Sequence, residues 1–291
     1  MNVDAFAQHR GLLFTVAYEM LGSAADAEDV VQETWLRWEA VDLAAVQDPR
    51  AYLVRITTRL SLNRLRTRTR RREDYVGDWL PEPVRTTADV ADDVELAEGV
   101  SMAVLTVLET LGPNERAVFV LREVFDVPHA EIAEALGQSP AAVRQIAHRA
   151  REHVQARRPR MAVTRSQHAE AVERFTAALR GGDVAGLLDV LAPDVVLTAD
   201  TGGLVPSIRR PVAGAEVVAK LLARFAGLVP DAVVDPVLLN GEAALLIASD
   251  GATDTAVTFV VDGGRITQVY AMRNPHKLER LEAPTELTRL R

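Results

Sequence analysis

The sequence predicts a multidomain fold with two all-α helical units, the second containing a helix-turn-helix, followed by an α+β domain with a curved sheet. Three observations support this. The chain of 291 residues is too long for one small domain and suits two or three. Helical apolar spacing runs from the start to about residue 156, and strand-like runs appear only beyond residue 190. Hydrophobic residues make up 48% of the chain, enough for a core in each part.

Composition excludes several kinds of protein. The sequence contains no cysteine, which rules out disulfides, thiolate zinc sites and cysteine nucleophiles and suits a reducing compartment. Its N-terminus lacks the charged-then-apolar layout of a signal peptide, and no apolar run approaches the roughly 20 residues that span a bilayer. We therefore expect a cytoplasmic protein that does not associate with a membrane. No cluster of residues indicates a metal or another cofactor.

Charge is segregated along the chain, although the net charge of −8 argues on average against nucleic-acid binding. Residues 50–72 carry nine arginines and no acidic residue, whereas residues 73–98 carry nine acids against Arg85 alone. Residues 144–160 are basic again, with six arginines and one glutamate. Because local patches govern phosphate binding more than the global charge does, the sequence predicts two basic nucleic-acid-binding surfaces.

The first helical unit covers residues 1–74 and contains three predicted helices. Apolar spacing predicts the first helix up to a stop at Gly22. Ser23 is suited to cap the second helix. Pro49 begins the third, because proline favours the first turn of a helix.

A linker that is acidic and contains tryptophan and proline is predicted over residues 75–100, because its apolar periodicity is weak. The second helical unit covers residues 101–160. The apolar spacing predicts helices at about residues 94–111, 114–125, 128–136 and 140–156.

The most informative motif is a helix-turn-helix near residues 128–155. Gly137 supplies the left-handed backbone of its tight turn. Ser139 can cap the second helix, and Pro140 occupies the first position of that helix. The apolar residues predicted to pack between the two helices are Ile132, Ala133, Leu136, Val143, Ile146, Ala147 and Ala150. In this motif the second helix enters the major groove of DNA.

The outward face of that second helix carries the residues expected to touch DNA: Arg144, Gln145, His148 and Arg149. Arginine bonds guanine bidentately and glutamine bonds adenine, so Arg144 and Gln145 are the expected base readers. Three further arginines are expected to contact phosphate: Arg151, Arg157 and Arg158. The alternative is a solvated basic face on an ordinary helical hairpin.

A second DNA-binding surface is predicted on the arginine-rich helix that follows Pro49. Its candidate residues recur at near-helical spacing: Arg55, Arg59, Asn63 and Arg66. A run of arginines can bind the phosphate backbone of a nucleic acid, and an aromatic side chain beside it, here Tyr52, can stack against unpaired bases. The alternative is a surface helix that uses arginine for solubility.

Beyond the second unit the pattern changes to that of an α+β domain, which covers residues 165–291. Two helices are predicted first, and a third lies near residues 214–227. Strand-like runs occupy residues 195–198, 233–239, 243–248, 256–261 and 266–272. Asp262-Gly263-Gly264 predicts a hairpin between the last two runs. Helices followed by a meander indicate a curved sheet wrapped by helices.

Together these segments resemble the extracytoplasmic-function (ECF) sigma factors, which are bacterial transcription initiation factors. Residues 26–35 are similar to the helix of their second conserved region that binds the clamp helices of the largest polymerase subunit. The residues that the resemblance assigns to polymerase binding are Asp26, Asp29, Gln32, Glu33 and Trp35. The helix after Pro49 is similar to the part that melts and reads the minus-10 element. Where this sequence has Arg59 and Asn63, the family usually has asparagine and aspartate.

The segment from Leu111 through the helix-turn-helix is similar to the fourth region of these sigma factors. In the family this region reads the minus-35 element and touches the polymerase flap. The resemblance therefore implies two partners, core RNA polymerase and promoter DNA.

Three further segments are similar to the sigma subgroup with a fused polyketide-cyclase-like (SnoaL-like, NTF2-like) domain, a cone with a curved mixed sheet. They are residues 75–83, 194–203 and 274–278. The resemblance implies that the fused domain contacts the linker, tunes activity in cis and replaces a dedicated anti-sigma protein. It assigns the interdomain regulatory role to Trp79, Pro81, Glu82, Pro83, Asp200, Asn274, Pro275 and Lys277.

Two other functions stay open at this point. A conventional regulator with a small-molecule-sensing C-terminal domain would also carry a helix-turn-helix, but would bind duplex operator without polymerase. Cyclases of the C-terminal fold use an acid–base pair in a pocket, and Asp194, Asp200 and His276 are candidates by type. The two aspartates could equally serve as backbone caps. Because the sequence shows no convergent constellation, we expect no enzyme; the hollow fold can hold a small-molecule ligand, which no feature identifies.

Overall fold

The structure, a computed structural model, describes residues 2–42, 46–71, 75–157, 163–229 and 231–288. Three helices form the first helical unit, α1 (Asn2–Leu21), α2 (Ala24–Glu39) and α3 (Pro49–Arg71), as predicted. Ser23 caps α2, because its hydroxyl accepts a hydrogen bond from the amide of Asp26 at 3.2 Å. Among the described residues, no helix combines the length and the apolar character needed to cross a bilayer.

The linker differs in its second half from the irregular segment that the sequence predicts. Residues 75–86 are extended, but α4 (Ala88–Asp92) and α5 (Val94–Val100) follow. The side chain of Asp93 caps α5 by accepting a hydrogen bond from the amide of Leu96 at 3.1 Å. Leu96 and Val100 are buried, so tertiary packing stabilises helices that are too short to form alone.

The second helical unit contains four α-helices, which are α6 (Met102–Leu108), α7 (Pro113–Phe119), α8 (His129–Leu136) and α9 (Pro140–Arg157). A π-helical turn, Val120–Val124, extends α7. The single helix predicted over residues 94–111 is divided at Ser101, whose side chain caps α6. Helices α8 and α9 confirm the predicted helix-turn-helix.

The C-terminal domain has three larger helices, α10 (Arg165–Arg180), α11 (Val184–Val190) and α12 (Ala215–Leu228), and a short α13 (Pro275–Leu278). Its strands are β1 (Leu191–Asp200), β2 (Val212–Ala213), β3 (Val233–Leu239), β4 (Glu242–Ser249), β5 (Ala252–Asp262) and β6 (Arg265–Met272). They form one sheet in the order β2-β1-β6-β5-β4-β3.

The topology corrects the predicted meander at one edge of the sheet. Strands β3 to β6 are an antiparallel meander, but β1 pairs with β6 in parallel. The short β2 and α13 have too few residues to produce a periodic signal. Register shifts, including one between Val260 and Val261, mark bulges that bend the strands. The result is the α+β architecture with a curved mixed sheet that the sequence predicts.

Both faces of this sheet are buried. On β5, Ala256 and Val260 belong to a core that also contains residues of the helical units. Val257 and Phe259, on the opposite face, pack into a second core with α10. Side chains alternate between the two faces along a strand. One face of the sheet therefore forms the core of the C-terminal domain, and the other face packs against the helical units.

Candidate DNA-binding surfaces and the linker clamp

The helix-turn-helix has the local geometry that its sequence dictates. Gly137 adopts φ = +66°, the left-handed conformation that ends α8. The hydroxyl of Ser139 then accepts a hydrogen bond from the amide of Ala142 at 3.1 Å and caps α9. Ile132 and Val143 are fully buried between the helices. These interactions fix the direction in which the outer face of α9 points.

That outer face presents the four predicted DNA-binding residues of α9 to solvent: Arg144, Gln145, His148 and Arg149. Within the part of the chain that the structure describes, no residue pairs with Arg144 or Arg149. Arg151, by contrast, holds Glu123 through two hydrogen bonds of 2.6 and 3.1 Å. In this structure its guanidinium is therefore in an ion pair within the second unit, and its phosphate contact stays a prediction; Arg157 is exposed, and Arg158 lies outside the described residues.

The basic face of α3 is occupied by the second helical unit. Arg59 donates hydrogen bonds to the main-chain carbonyls of Glu134 and Ala135, each at 3.0 Å. Arg55 forms an ion pair with the side chain of Glu134, and Asn63 is exposed. Farther along α3, the guanidinium of Arg66 donates to the side chain of Asn114 at 3.1 Å.

All three arginines that the sequence assigned to minus-10 DNA therefore contact protein in this structure. The partners of two of them lie on α8, the first helix of the helix-turn-helix. The two predicted DNA-binding surfaces are thus on neighbouring, touching helices.

Helix α2 presents the predicted polymerase-binding surface, which has an acidic part and an apolar part. Arg64 of α3 lies 3.0 Å from Asp29 and 3.7 Å from Asp26. Gln32 is exposed, and Glu33 forms a surface ion pair within α2. Trp35 is half-buried and packs edge-on against Phe6, with ring centroids 5.0 Å apart. This surface thus combines a partly exposed aromatic ring with carboxylates, three of which pair with arginine.

The side chain of Asp200, at the end of β1, is the centre of a contact between the linker and the C-terminal domain. It is fully buried. One carboxylate oxygen accepts hydrogen bonds from the Tyr75 hydroxyl and from the amide of Gly202. The other accepts from the amide of Leu80 at 2.8 Å and from the ammonium of Lys277 at 2.7 Å. Four donors, two of them on the linker, therefore converge on one carboxylate.

Lys277 and Asn274 complete this contact from the segment after β6. The buried Lys277 ammonium also donates to the carbonyl of Leu80 at 2.6 Å and lies 3.2 Å from the ring centroid of Trp79. The Asn274 side chain donates to the Tyr75 hydroxyl at 3.0 Å. We call these residues the linker clamp: Asp200, Asn274 and Lys277 with Tyr75, Trp79 and Leu80. Pro275, also expected here, is exposed and begins α13.

Two glycines allow the linker to lie this close to the domain. Gly202 and Gly203 have φ values of +57° and +74°. A Cβ on Gly202 would lie 2.6 Å from the amide nitrogen of Asn274, and one on Gly203 would lie 2.9 Å from Val76. A Cβ at either position would force the neighbouring side chain to move, and glycine adopts positive φ without strain, so the two glycines favour both the turn and the contact.

The next part of the linker docks on the first helical unit through Glu82. Its carboxylate accepts hydrogen bonds from the Ser23 hydroxyl at 3.0 Å and from the amide of Ala25 at 3.3 Å, at the start of α2. Its carbonyl accepts from the Tyr18 hydroxyl at 2.6 Å. Burial raises the pKa of Glu82, although these hydrogen bonds oppose the shift. The flanking Pro81 and Pro83 are buried.

Asn240, which sequence reasoning missed, ties three parts of the molecule together. Its side chain accepts from the amide of Val84 at 3.1 Å and donates to the Tyr18 hydroxyl at 2.7 Å and to the carbonyl of Val100 at 2.8 Å. It occupies the turn between β3 and β4 with φ = +54°. The Asn240-Gly241 dipeptide signals a hairpin turn, but nothing local indicates that this asparagine reaches the linker.

The acid–base candidates for an enzyme are not brought together. Asp194 and His276 are exposed, and Asp200 is committed to the linker clamp. The structure also contains no group of three or more potential metal ligands among the described residues. An apolar cavity of the C-terminal domain, about 560 Å³ in volume, is not lined by any of these three candidates.

Comparisons with known proteins identify the helical units and extend over the whole chain. Residues 5–71 match the family described as sigma-70 region 2, and residues 101–154 match sigma-70 region 4. The chain is 39% identical to the ECF RNA polymerase sigma factor SigJ of Mycobacterium tuberculosis, over 95% of this chain and 93% of that protein. It is 33% identical to the probable ECF sigma factor SigI of the same organism, over 96% and 95% of the two chains.

The chain belongs to the ECF RNA polymerase sigma factors. The crystal structure of the M. tuberculosis factor SigJ agrees with this, with a TM-score of 0.78 and 36% identity over 96% of this chain and 99% of that one. The protein is therefore an alternative sigma factor, which directs core RNA polymerase to promoter DNA. The match to region 2 decides against a conventional helix-turn-helix regulator. The match to SigJ covers nearly the whole chain and therefore extends over the C-terminal domain.

Proposed function

We propose that the C-terminal domain regulates this sigma factor in cis by holding its two helical units in a closed arrangement. The contact between α3 and α8 carries the proposal. Arg59 of α3 donates to the carbonyls of Glu134 and Ala135 on α8. The basic face expected to read the minus-10 element is therefore covered by the motif expected to read the minus-35 element.

Promoter geometry is incompatible with this contact. The minus-10 and minus-35 elements are about 25 base pairs apart, which is about 85 Å at roughly 3.4 Å per base pair. Two helical units in direct contact cannot reach both elements at once. Promoter binding thus requires α3 and α8 to separate, and the linker that joins the units has to change its path.

The linker clamp opposes that change. Asp200 and Lys277 hold Leu80 from the C-terminal domain, while Glu82 is anchored on the start of α2. Releasing the linker would break the hydrogen bonds that Asp200 accepts from Tyr75 and Leu80 and the one that Lys277 donates to Leu80, and hydrogen bonds to charged groups are the strong ones. The domain accordingly stabilises the closed arrangement, and no dedicated anti-sigma protein is required.

In the open arrangement each predicted surface takes the role that the family resemblance implies. Minus-35 contacts would come from Arg144, Gln145, His148 and Arg149, and minus-10 contacts from Arg55, Arg59, Asn63 and Arg66. The α2 surface around Trp35 would bind the clamp helices of the largest polymerase subunit, and the second unit would touch the flap. Polymerase and promoter lie in the bacterial cytoplasm, so the protein would act there. No catalytic role is proposed for the C-terminal domain.

Opening can be measured by energy transfer between two dyes. The chain has no cysteine, so exposed Gln8 on α1 and Gln155 on α9 can be changed to cysteine and labelled. We expect high transfer in the free protein and a large decrease when holoenzyme binds promoter DNA. A pair within the first unit, Gln8 and Glu39, should keep its transfer efficiency. Unchanged transfer between Gln8 and Gln155 in a transcribing complex would refute the closed-to-open proposal.

The role of Arg144 is tested separately. Replacing it with alanine should weaken binding of the holoenzyme to a matched minus-35 element by roughly 1–3 kcal/mol, because a bidentate base contact is lost. Arg224→Ala, an exposed change in the C-terminal domain, is the matched control. Equal promoter affinity of the Arg144→Ala and wild-type holoenzymes would contradict base reading.

A further inference from the structure

The C-terminal domain contains a cavity that none of the roles above uses. It lies on the face of the sheet opposite the helical units and has a volume of about 560 Å³, within the range of roughly 300–1,000 Å³ of small-molecule sites. Its walls are mainly apolar and include Phe175, Leu179, Leu197, Leu222, Val257 and Val269. Phe225 and Val233 line it while remaining 37% and 55% exposed, so its entrance is apolar too.

The polar groups of the cavity carry no net charge. Arg180 and Arg273 are matched by Asp235 and Asp254. Arg273 forms a bidentate pair with Asp254, in which Nη2 donates to Oδ1 at 2.8 Å and Nε donates to Oδ2 at 3.2 Å. Burial raises the pKa of Asp254, but hydrogen bonds from Arg273 and Thr255 together with the charge of Arg273 outweigh burial and hold that pKa below its usual value. The aspartate therefore stays ionised, and an anionic ligand would have to displace it.

Arg273 also belongs to the structure that supports the linker clamp. Its amide donates to the carbonyl of Asp200 at 2.7 Å, and the next residue is Asn274, which holds Tyr75. Its guanidinium donates to the carbonyl of Pro206 at 2.7 Å. Pro206 lies on the same loop as Gly202 and Gly203. Arg273 thus connects the cavity to both sides of the clamp.

We propose that this cavity binds a neutral, largely apolar small molecule with one hydroxyl or carbonyl group, and that its binding strengthens the linker clamp through Arg273. The apolar walls account for most of the ligand, and the Arg273–Asp254 pair offers one donor and one acceptor to its polar group. None of the linker side chains that the structure describes lines the cavity, so the occupant would not push on the linker. It would instead add packing under Arg273 and the 201–208 loop. The regulatory consequence rests on the proposed function, whereas the binding and the linker protection do not.

Binding is tested with Nile red, a neutral apolar dye with one carbonyl group, titrated into the full-length protein. We expect saturable fluorescence enhancement. Ala226 lines the cavity on α12, and Ala226→Trp should fill it and weaken the dye affinity at least tenfold. Ala177→Trp, at an exposed position of α10, is the matched control and should bind like the wild type. Circular dichroism and melting of both variants verify folding. Absent saturation, or equal affinity of Ala226→Trp, would overturn the site.

Coupling is tested by hydrogen exchange of a peptide covering residues 75–86 with and without saturating Nile red. We expect exchange at the Leu80 amide to slow at least threefold in the wild type and not in Ala226→Trp. Dye binding without slower exchange would overturn the relay through Arg273. Energy transfer between Gln8 and Gln155 in the holoenzyme reports separately on the proposed function. Unchanged transfer there alongside dye-dependent protection would refute regulation in cis and leave this inference standing.

Discussion

Asp200→Asn should release the linker from the C-terminal domain. Each carboxylate oxygen of Asp200 accepts two hydrogen bonds. An asparagine amide presents an NH2 group in place of one oxygen, so in either orientation two donors would face another donor. Lys277, whose side chain is only 7% exposed, would also lose its counter-charge. Breaking a buried pair by removing one partner costs about 3–5 kcal/mol.

Native-state hydrogen exchange at the Leu80 amide measures this cost directly, because opening of the linker is the event that exposes that amide. A cost of about 3–5 kcal/mol corresponds to roughly 100- to 4,000-fold faster exchange, since about 1.4 kcal/mol is a factor of ten. Lys277→Met should have a smaller effect, because Asp200 keeps three donors.

The sequence offers a matched control for the lysine change. It contains only two lysines, and the other, Lys220, forms an exposed pair with Glu216 at 3.4 Å. Lys220→Met should change exchange at Leu80 by less than a factor of two, because exposed ion pairs contribute little. Exchange in Asp200→Asn within threefold of the wild type would show that the clamp does not hold the linker.

Three further predictions concern Gly202, Asn240 and Glu19. Gly202→Ala should speed hydrogen exchange in the linker much more than Gly263→Ala does. Both glycines have similar positive φ (+57° and +55°), but of the two only Gly202 would bring a Cβ within 4 Å of a neighbouring atom. Equal effects of the two changes would contradict the steric argument. Asn240→Ala should lower the melting temperature markedly, because three buried groups lose a partner at about 1–3 kcal/mol each; a loss below about 1 kcal/mol would count against this. Burial raises the pKa of Glu19 from 4.5 to about 8, so the stability linked to its bound proton is fully present below pH 4.5 and is lost as the pH rises from there to about 8. From pH 5 to 8 the wild type should therefore lose more melting temperature than Glu19→Gln, whereas parallel curves would refute the assignment.

The helices and the recognition motif could be predicted because their determinants are local. Ser23, Gly137 and Ser139 act on residues within three or four positions along the chain. Apolar periodicity also predicts which helix positions are buried, such as Ile146 on α9. The family resemblance, and not a local pattern, assigned a shared regulatory role to the linker and to the segment after β6. The structure brings Trp79 of the linker and Lys277 of that segment into contact.

Other features had no local signal. The arginines of α3 read as a free basic face, yet Arg59 contacts residues about 75 positions away in sequence. Asp200 had the sequence of a turn cap, and it does accept from Gly202, but its other donors come from the linker and α13. Asn240 reaches Tyr18 across 222 positions. Such partners depend on which surfaces meet, and no pattern within one segment contains that information.

The sequence by itself therefore determined the two basic surfaces, the helix-turn-helix between residues 128 and 155 and the α+β class of the C-terminal domain. Local capping, turn geometry and side-chain periodicity suffice for these. Only the tertiary structure decided that the two basic surfaces touch each other and that Asp200 holds the linker. The physical reason is that the C-terminal sheet is buried on both faces. One of those faces docks the helical units, and it places residues far apart in sequence within hydrogen-bonding distance.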